Sequence, residues 1–422
     1  MIINYMELIK YVDLCSGIGG FRIALNNYSR YNKLFKFICV LSADIKQDAI
    51  DTYNLNFKEN NVKIDINNLK PTDIPNFNLL CAGFPCQPFS SAGNKKGLND
   101  KRSSIIFKII DICKYHKPSI VILENVYNLL LLDKGKCITK IIKLFQDIGY
   151  NVNYIKLNSK DFNCPQSRER VYIICSINKY IELKTISYSN SNILLKDIID
   201  YDDKNTNINN TFINKLLQLH NNSSIYGCKI NDKRGGKNNI HSWDLGYNGD
   251  ITNEECKLMN IIMLERRKKH WAITKNIKWM DGMPLTFDEI STFYNNNNLQ
   301  NMLNNLIEKK YLKIEKCKDL INNKRVYINN SKEGYNICKG KLSFPISKIL
   351  DPNDITPTLT ATDSHKLAII IDNSIRNLNC NELKKLSGFP DEFLIPPNVN
   401  YYDLFGNVVI PNVVFALLKL IY

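Results

Sequence analysis

The stretch Leu8-Ile-Lys-Tyr-Val-Asp-Leu-Cys-Ser-Gly-Ile-Gly-Gly-Phe21, running on into Arg22–Asn27, decides the fold class. Leu8–Leu14 is a short apolar run with the length of a buried strand, and Arg22–Asn27 has helical character. Between them, Gly17, Gly19 and Gly20 let the backbone turn tightly and approach a ligand closely. A strand, a glycine turn and a helix form the first unit of a nucleotide-binding βα array, although the turn alone equally reads as a plain tight turn.

Working outward, further apolar runs lie at Phe37–Leu41, Val62–Ile64, Leu79–Ala82, Ile120–Leu123 and Tyr172–Cys175. Helical patterns at Ile105–Tyr115 and Ile138–Ile148 fall between them, with apolar residues three and four apart. Strands alternating with helices predict an α/β fold with a doubly wound, mostly parallel sheet. After about residue 185 the composition changes. Asn-rich segments (Asp203–Thr211, Asn295–Asn298) read as loops of an insert, and Thr286–Phe293, Leu299–Lys310 and Tyr311–Glu315 read as helix, helix, strand. With a strand pair from Arg325–Ile328 and Tyr335–Cys338, that order predicts a winged-helix-like insert. We therefore expect three segments: 1–188 as a catalytic domain, 189–397 as a smaller recognition domain, and 398–422 returning to the first.

The 422 residues are 44% hydrophobic and 23% charged, enough for one large or two medium domains. No run of roughly 18 apolar residues suggests a membrane-spanning helix. Met1–Tyr11 carries Glu7 and Lys10 and lacks the pattern of a secretory signal. The 13 cysteines contain no C-x-x-C pair, which speaks against structural zinc and for reduced thiols in a cytosol; no metal site is expected. Cys113, Cys137 and Cys175 read as small core residues. A formal net charge of +15 fits a polyanionic partner such as nucleic acid, or simple solubility.

Gly83-Phe-Pro-Cys-Gln-Pro-Phe-Ser90 is more specific. Cys86 follows a strand at the carboxyl edge of the sheet, in a loop restricted by two prolines. A thiolate there is the soft nucleophile required for conjugate addition to an electron-poor ring. Glu124, at the end of Ile120–Leu123, falls on the same edge and reads as a proton donor or as a helix N-cap partner. Arg168 and Arg170 alternate on entry to a strand and so share a face. They read as a pair aimed at one ligand, or as surface partners of Asp161 or Glu169.

Taken in order, these motifs resemble those of the DNA cytosine-5 methyltransferases of bacterial restriction-modification type. Asp13–Phe21 resembles the S-adenosylmethionine motif, Pro85-Cys86 the catalytic Pro-Cys, Glu124-Asn125-Val126 the Glu-Asn-Val motif and Gln166–Arg170 the Gln-x-Arg-x-Arg motif. Thr356–Thr362 with Arg376, Glu382 and Gly388-Phe-Pro390 resembles the motif closing the recognition region, and Gly406-Asn407 with Pro411 the C-terminal Gly-Asn motif. Departures are Cys15 and Ser16 for the commoner Phe and Ala, Ser103 for Gly after Arg102, and Asn379-Cys380 for Thr-Pro.

The resemblance implies methyl transfer from S-adenosyl-L-methionine to C5 of a flipped cytosine in a short duplex sequence. Cys86 would add to C6, Glu124 would protonate N3, and Arg168 and Arg170 would stabilise the base. Asp13, Gly17, Gly19, Gly20, Phe21, Asp44, Asp65, Pro85 and Asn407 would form the cofactor site. The loop after Cys86, with Ser90, Lys95 and Lys96, would meet DNA. Arg234-Gly235-Gly236-Lys237 looks like a recognition loop, whose Arg can address guanine. The same resemblance implies a cytoplasmic (in a bacterium, nucleoid-associated) monomer with a companion restriction endonuclease. A tRNA methyltransferase would share the motifs, but the long insert favours a duplex reader. A non-catalytic relative would lack Cys86 or Glu124, and both are present.

Overall fold

Strand β1 (Glu7–Leu14) is an interior strand of the first unit's sheet, its last four residues buried between two neighbours. The computed structural model describes residues 6–85, 104–188, 192–203, 208, 211–236, 238–278, 282–321, 324–338 and 344–422. Beyond β1 the chain forms α1 (Gly20–Tyr31), β2 (Phe35–Ala43), α2 (Gln47–Phe57), β3 (Leu79–Gly83), α3 (Ser104–His116), β4 (Ile120–Val126) and α4 (Lys136–Gln146). It continues with β5 (Asn151–Asn158), the two-residue β6 (Gln166–Ser167) and β7 (Glu169–Ser176). The sheet order is β2-β1-β3-β4-β7-β5. The pairs among β2, β1, β3 and β4 are parallel, and β7 runs antiparallel to both its neighbours. This is the expected doubly wound, mostly parallel sheet.

The local causes are those of the sequence pattern. Helix α1 starts from Gly19, held at φ 90°, and buries Phe21, Ala24, Leu25 and Tyr28 on one face at helical spacing. Val121, Leu123, Val171, Ile173, Cys113, Cys137 and Cys175 belong to one core cluster between sheet and helices. Each such aliphatic side chain contributes on the order of 1.5–3 kcal/mol by leaving water.

Two expectations in this half are corrected. Val62–Ile64 is not a strand. It is a loop tied by Ile64 N–H to the Asp44 carbonyl, and Asp65 caps a single turn, Ile66–Asn68. Strand β5 escapes the apolar-run reading because it is an edge strand, Asn-Val-Asn-Tyr-Ile-Lys-Leu-Asn, with little buried surface.

The chain forms two compact units: Met1–Asp203 with Pro352–His365 and Leu378–Tyr422, and Lys204–Asp351 with Lys366–Asn377. The boundaries therefore differ from those read in the sequence. Residues 192–203, 352–365 and 378–397, expected in the second domain, belong to the first unit. Hydrogen bonding is the reason: Thr356–Pro357 pairs in parallel with β6, and the Gln166 side chain donates to Leu386 O while accepting from Leu359 N–H. The stretch 401–421 contains an 18-residue window with a mean hydropathy of 2.0, long enough for a membrane span. It is two helices, Tyr401–Gly406 and Pro411–Ile421, and 67% of that window is buried in protein, the second helix packing on α1.

The second unit holds a five-stranded sheet ordered Ser374–Asn377, Leu367–Ile371, Lys348–Ile349, Lys229–Ile230, Asn239–Ile240. A separate core, with Leu258, Ile262, Leu303 and Leu306, joins helices Asn253–Glu265, Phe287–Ser291 and Leu299–Glu308. Strand Leu312–Lys316 follows these helices and pairs antiparallel with Glu333–Ile337. A bridge from Leu285 to Tyr335 adds a third strand position. The strand pair expected from Arg325–Ile328 and Tyr335–Cys338 does not form. Lys324–Tyr327 instead makes a hairpin with Lys318–Ile321.

Candidate active site

The sheet register assembles the site. Asp13 lies opposite Cys81 across β1 and β3, and Gly83 opposite Glu124 across β3 and β4. The carboxyl ends of four parallel strands therefore open into one cleft of ≈ 720 Å³. Its walls include Cys15, Gly17 and Ile18 after β1, Asp44 and Lys46 after β2, and Phe84 and Pro85 after β3. Glu124 and Asn125 of β4, Arg168 and Arg170 before and in β7, Asp65, Thr360, Ala361 and Asn407 complete them.

Glu124 is 7% exposed, with its carboxylate 3.0 Å from Arg170 Nε. Burial raises its pKa above the ordinary carboxylate range, and Arg170 and Arg168 pull against that rise. Antiparallel pairing explains the contact: Val126 faces Arg170, so Glu124 sits one diagonal step away. Asn125 donates through Nδ2 to Phe84 O at 2.9 Å, which pins the backbone two residues before Cys86. Cys86 itself, with Ser90, Lys95 and Lys96, lies outside the described residues.

Arg168 and Arg170 do not share one ligand. Arg168 is 3% exposed, and its guanidinium donates to the carbonyls of Leu359 (2.8 Å), Gly406 (3.3 Å) and Val408 (2.7 Å). Burial, with Arg170 beside it, pushes its pKa down; those carbonyls engage its two terminal nitrogens, while the buried Nε–H has no acceptor among the described residues. The alternation of residues was a sound guide to β7, but the C-terminal segment lying over Arg168 is a tertiary fact. Neither surface pairing applies to this residue, and Glu169 instead accepts from Lys156.

The residues expected at the cofactor divide in two. Asp44 Oδ2 accepts from Gly17 N–H at 2.8 Å and Oδ1 from Lys46 N–H at 2.9 Å, so its carboxylate stands in the cleft in a set orientation. Asp65, Pro85, Gly17 (φ 52°) and Asn407 also line the cleft. Asn407 Nδ2 donates to Asp403 O and Oδ1. By contrast Asp13 and Phe21 are buried at 0% and 1% exposure and are not in the cleft wall. Gly19 and Gly20 serve packing: a Cβ would lie 2.4 Å from the Phe57 ring at Gly19 and 2.1 Å from Val409 O at Gly20. In the structure all four pack in support of the turn, Asp13 and Phe21 through burial and the two glycines through close approach of Phe57 and Val409.

Sequence reasoning missed Lys46 and Asp403, which pair at 2.7 Å on the cleft rim, and the apolar wall of Ile18, Ile45 and Ile66. The three isoleucines adjoin Gly17, Asp44 and Asp65, which is the signal that could have found them. In the second unit, Arg234 is exposed on a loop braced by the Asn231 side chain, which accepts from the Lys233 and Arg234 N–H groups. Gly235 packs on Met263 and Leu264, Gly236 is exposed, and Lys237 lies outside the described residues. At the Asn379-Cys380 departure the turn survives. Asn379 caps helix Cys380–Leu386 by accepting from Glu382 N–H, while Glu382 accepts from Asn379 N–H.

A nucleotide-sized cleft at the carboxyl edge of a doubly wound sheet, carrying two oriented carboxylates and a buried Glu–Arg pair, defines a group-transfer enzyme acting with a nucleoside cofactor. The family profile described as C-5 cytosine-specific DNA methylase matches residues 9–422. The chain belongs to that family and is a DNA (cytosine-5)-methyltransferase. It is similar to the Type II methyltransferase M.NlaIV of Neisseria lactamica, 40% identical over 97% of this chain and 98% of the relative. It is also similar to the Type II methyltransferase M.BanI of Aneurinibacillus aneurinilyticus, at 36% over 96% and 94%. Among solved structures, Dnmt2 methyltransferase of S. pombe shares the fold, with a TM-score of 0.57, 18% identity and 98% coverage of both chains.

Proposed function

We propose that the protein methylates C5 of one cytosine within a short specific duplex sequence, on a base turned out of the helix into the cleft of the first unit. The observation that carries this reading is Glu124, buried, raised in pKa and held by Arg170 at the strand ends where Pro85 leads into Cys86. Cytosine C5 is too weak a nucleophile in the aromatic ring. The Cys86 thiolate adds to C6, and Glu124 delivers a proton to N3, so that C5 gains enamine character. Arg170 holds Glu124 in place and offers positive charge to the base oxygen. After C5 is methylated and loses its proton, the C6–S bond breaks and Cys86 returns as the thiolate. Arg168 acts as a positioning residue for the cleft wall.

The residues present fit S-adenosyl-L-methionine, which supplies the electrophilic methyl group when bound. Asp44 would accept from ribose hydroxyls, Asp65 from the adenine amino group, and Ile18, Ile45 and Ile66 would cover the adenine faces. Pro85 and Asn407 would flank the amino-acid end. Gly17, at φ 52° with no atom within 4 Å of a Cβ position, allows the cofactor to approach the backbone. Sequence reading falls to the second unit, with Arg234 as a base-edge contact and Gly235, Gly236 and Lys237 shaping its loop. Ser90, Lys95 and Lys96 would meet the DNA backbone beside the flipped base. The Type II relatives support a companion restriction endonuclease reading the same site; within the same proposal the protein acts as a cytoplasmic monomer on cellular DNA.

The test uses purified protein, labelled S-adenosylmethionine and duplex DNA carrying 5-fluorocytosine at the target. Wild type is expected to form a covalent adduct that survives denaturing electrophoresis, and Cys86→Ser to form none. Label on adenine or on the exocyclic amine of cytosine, or full turnover by the Ser variant, overturns the mechanism.

A further inference from the structure

The second unit carries a cationic pocket that the methyl-transfer chemistry does not use. Its frame is the order helix Asn253–Glu265, strand position Leu285, helices Phe287–Ser291 and Leu299–Glu308, strand Leu312–Lys316, hairpin 318–327 and returning strand Glu333–Ile337. With an extra short helix, Lys269–Thr274, set between the first helix and Leu285, that is the order of a winged helix, with the hairpin as its wing. From residue 281 onward the charge on this frame is lopsided. Residues 281–308 contain four acidic residues and no Lys or Arg, whereas 309–327 contain seven basic and two acidic residues. The helix pair therefore offers a phosphate no cationic side chain, whereas the wing side does.

The basic side chains converge. Lys313, Lys316, Lys318 and Arg325 line a pocket of ≈ 220 Å³ beneath the hairpin, together with Glu315 and Asn336. Glu315 orders the cations rather than cancelling them. Its Oε2 accepts from Lys313 Nζ at 2.7 Å and lies 3.8 Å from Lys318 Nζ, and its Oε1 accepts from Asn336 Nδ2 at 2.6 Å. Lys318 Nζ also sits 4.3 Å from the Tyr327 ring centroid, which fixes it against the wing. Four cations lining one pocket, two of them against its single carboxylate and Lys316 Nζ donating to Asn329 O, leave a net positive, concave surface with room for a phosphodiester.

We propose that this pocket is a phosphate cradle: the wing grips the backbone of the duplex that the enzyme methylates, independently of the base-reading loop at Arg234. The inference rests on the duplex-DNA reading above. Charge complementarity selects DNA as the occupant, because a duplex presents a phosphate every few ångströms along each strand. The grip adds affinity and orientation without sequence information.

The test compares wild type with the double variant Lys318→Ala/Arg325→Ala in duplex binding from 50 to 300 mM salt, alongside steady-state methylation. The variant is expected to bind about tenfold more weakly at 150 mM salt. The slope of log K against log salt should fall by about two, near 0.9 per lost phosphate contact, while kcat at saturating DNA stays unchanged. Lys318→Arg/Arg325→Lys should keep the wild-type slope, and so should Lys257→Ala, an exposed lysine paired with Glu254. A wild-type slope in the alanine variant overturns the cradle while leaving the methyltransferase reading intact. So does an equal loss in the Arg/Lys exchange, which would indicate damage to the hairpin. Failure of the wild type to bind or methylate any duplex would refute the underlying DNA reading instead.

Discussion

At the scale of single residues, Asp13 is the most exacting group in the first unit. Both its carboxylate oxygens are buried without a hydrogen-bond partner. Burial raises its pKa well above the usual carboxylate range, Arg22 pulls it down and Asp44 adds to the rise. A carboxyl whose folded pKa exceeds its unfolded value contributes stability fully at low pH. That contribution fades as pH climbs through the raised value. Asp13→Asn cannot ionise, so its stability relative to wild type should increase as pH rises above the ordinary carboxylate range, until the raised folded value is passed. The limiting gradient is about 1.4 kcal/mol per pH unit. Urea unfolding midpoints at several pH values check this; a pH-independent difference between the two proteins defeats it.

At the scale of elements, the decisive joint is where 352–365 and 404–410 lie against β6 and β7. Arg168 ties three carbonyls from these two segments together, and Gly406 fits because a Cβ there would stand 2.2 Å from Ala361 N. Because Thr360, Ala361 and Asn407 form part of the cleft wall, the joint also shapes the cofactor site. Arg168→Ala leaves buried carbonyls unsatisfied and is expected to lose about 3 kcal/mol of stability or more. It should weaken S-adenosylhomocysteine binding about tenfold, with Arg168→Lys intermediate because a point charge cannot replace the planar fork. Thermal melts and calorimetric titration report both. A variant with wild-type stability and cofactor affinity would show that Arg168 does not hold the joint.

At the scale of the whole molecule, two units with separate cores predict unfolding in more than one step. Scanning calorimetry should give two transitions. S-adenosylhomocysteine at about a hundred times its Kd should stabilise only the first unit, by about 2.7 kcal/mol. One cooperative transition shifted as a whole would contradict the separation.

Much of this protein was legible in the sequence because the determinants are local. Apolar runs bounded by turn residues mark β1 to β4 and β7, and the glycine turn at Gly17–Gly20 marks the carboxyl edge. Motif order placed Glu124, Asp44, Asp65 and Asn407, all of which line one cleft. The edge strand β5 was not legible, since its alternation is mostly polar and its stability comes from pairing with β7. Nor were the roles of Arg168, Asp13, Phe21, Gly19 and Gly20, which depend on what lies against them. Side-chain period along a strand tells which face a residue takes, but a neighbour from 190 or 240 positions away decides whether that face meets ligand or backbone. By itself, then, the sequence determined the sheet, the chemistry-bearing residues and the family. Only the tertiary structure decided which of those residues stand in the cleft, which hold its wall, and that the insert gathers its cations beneath one hairpin. Hydrogen-bond partners and burial are set by contacts distant in the chain, and no local pattern encodes them.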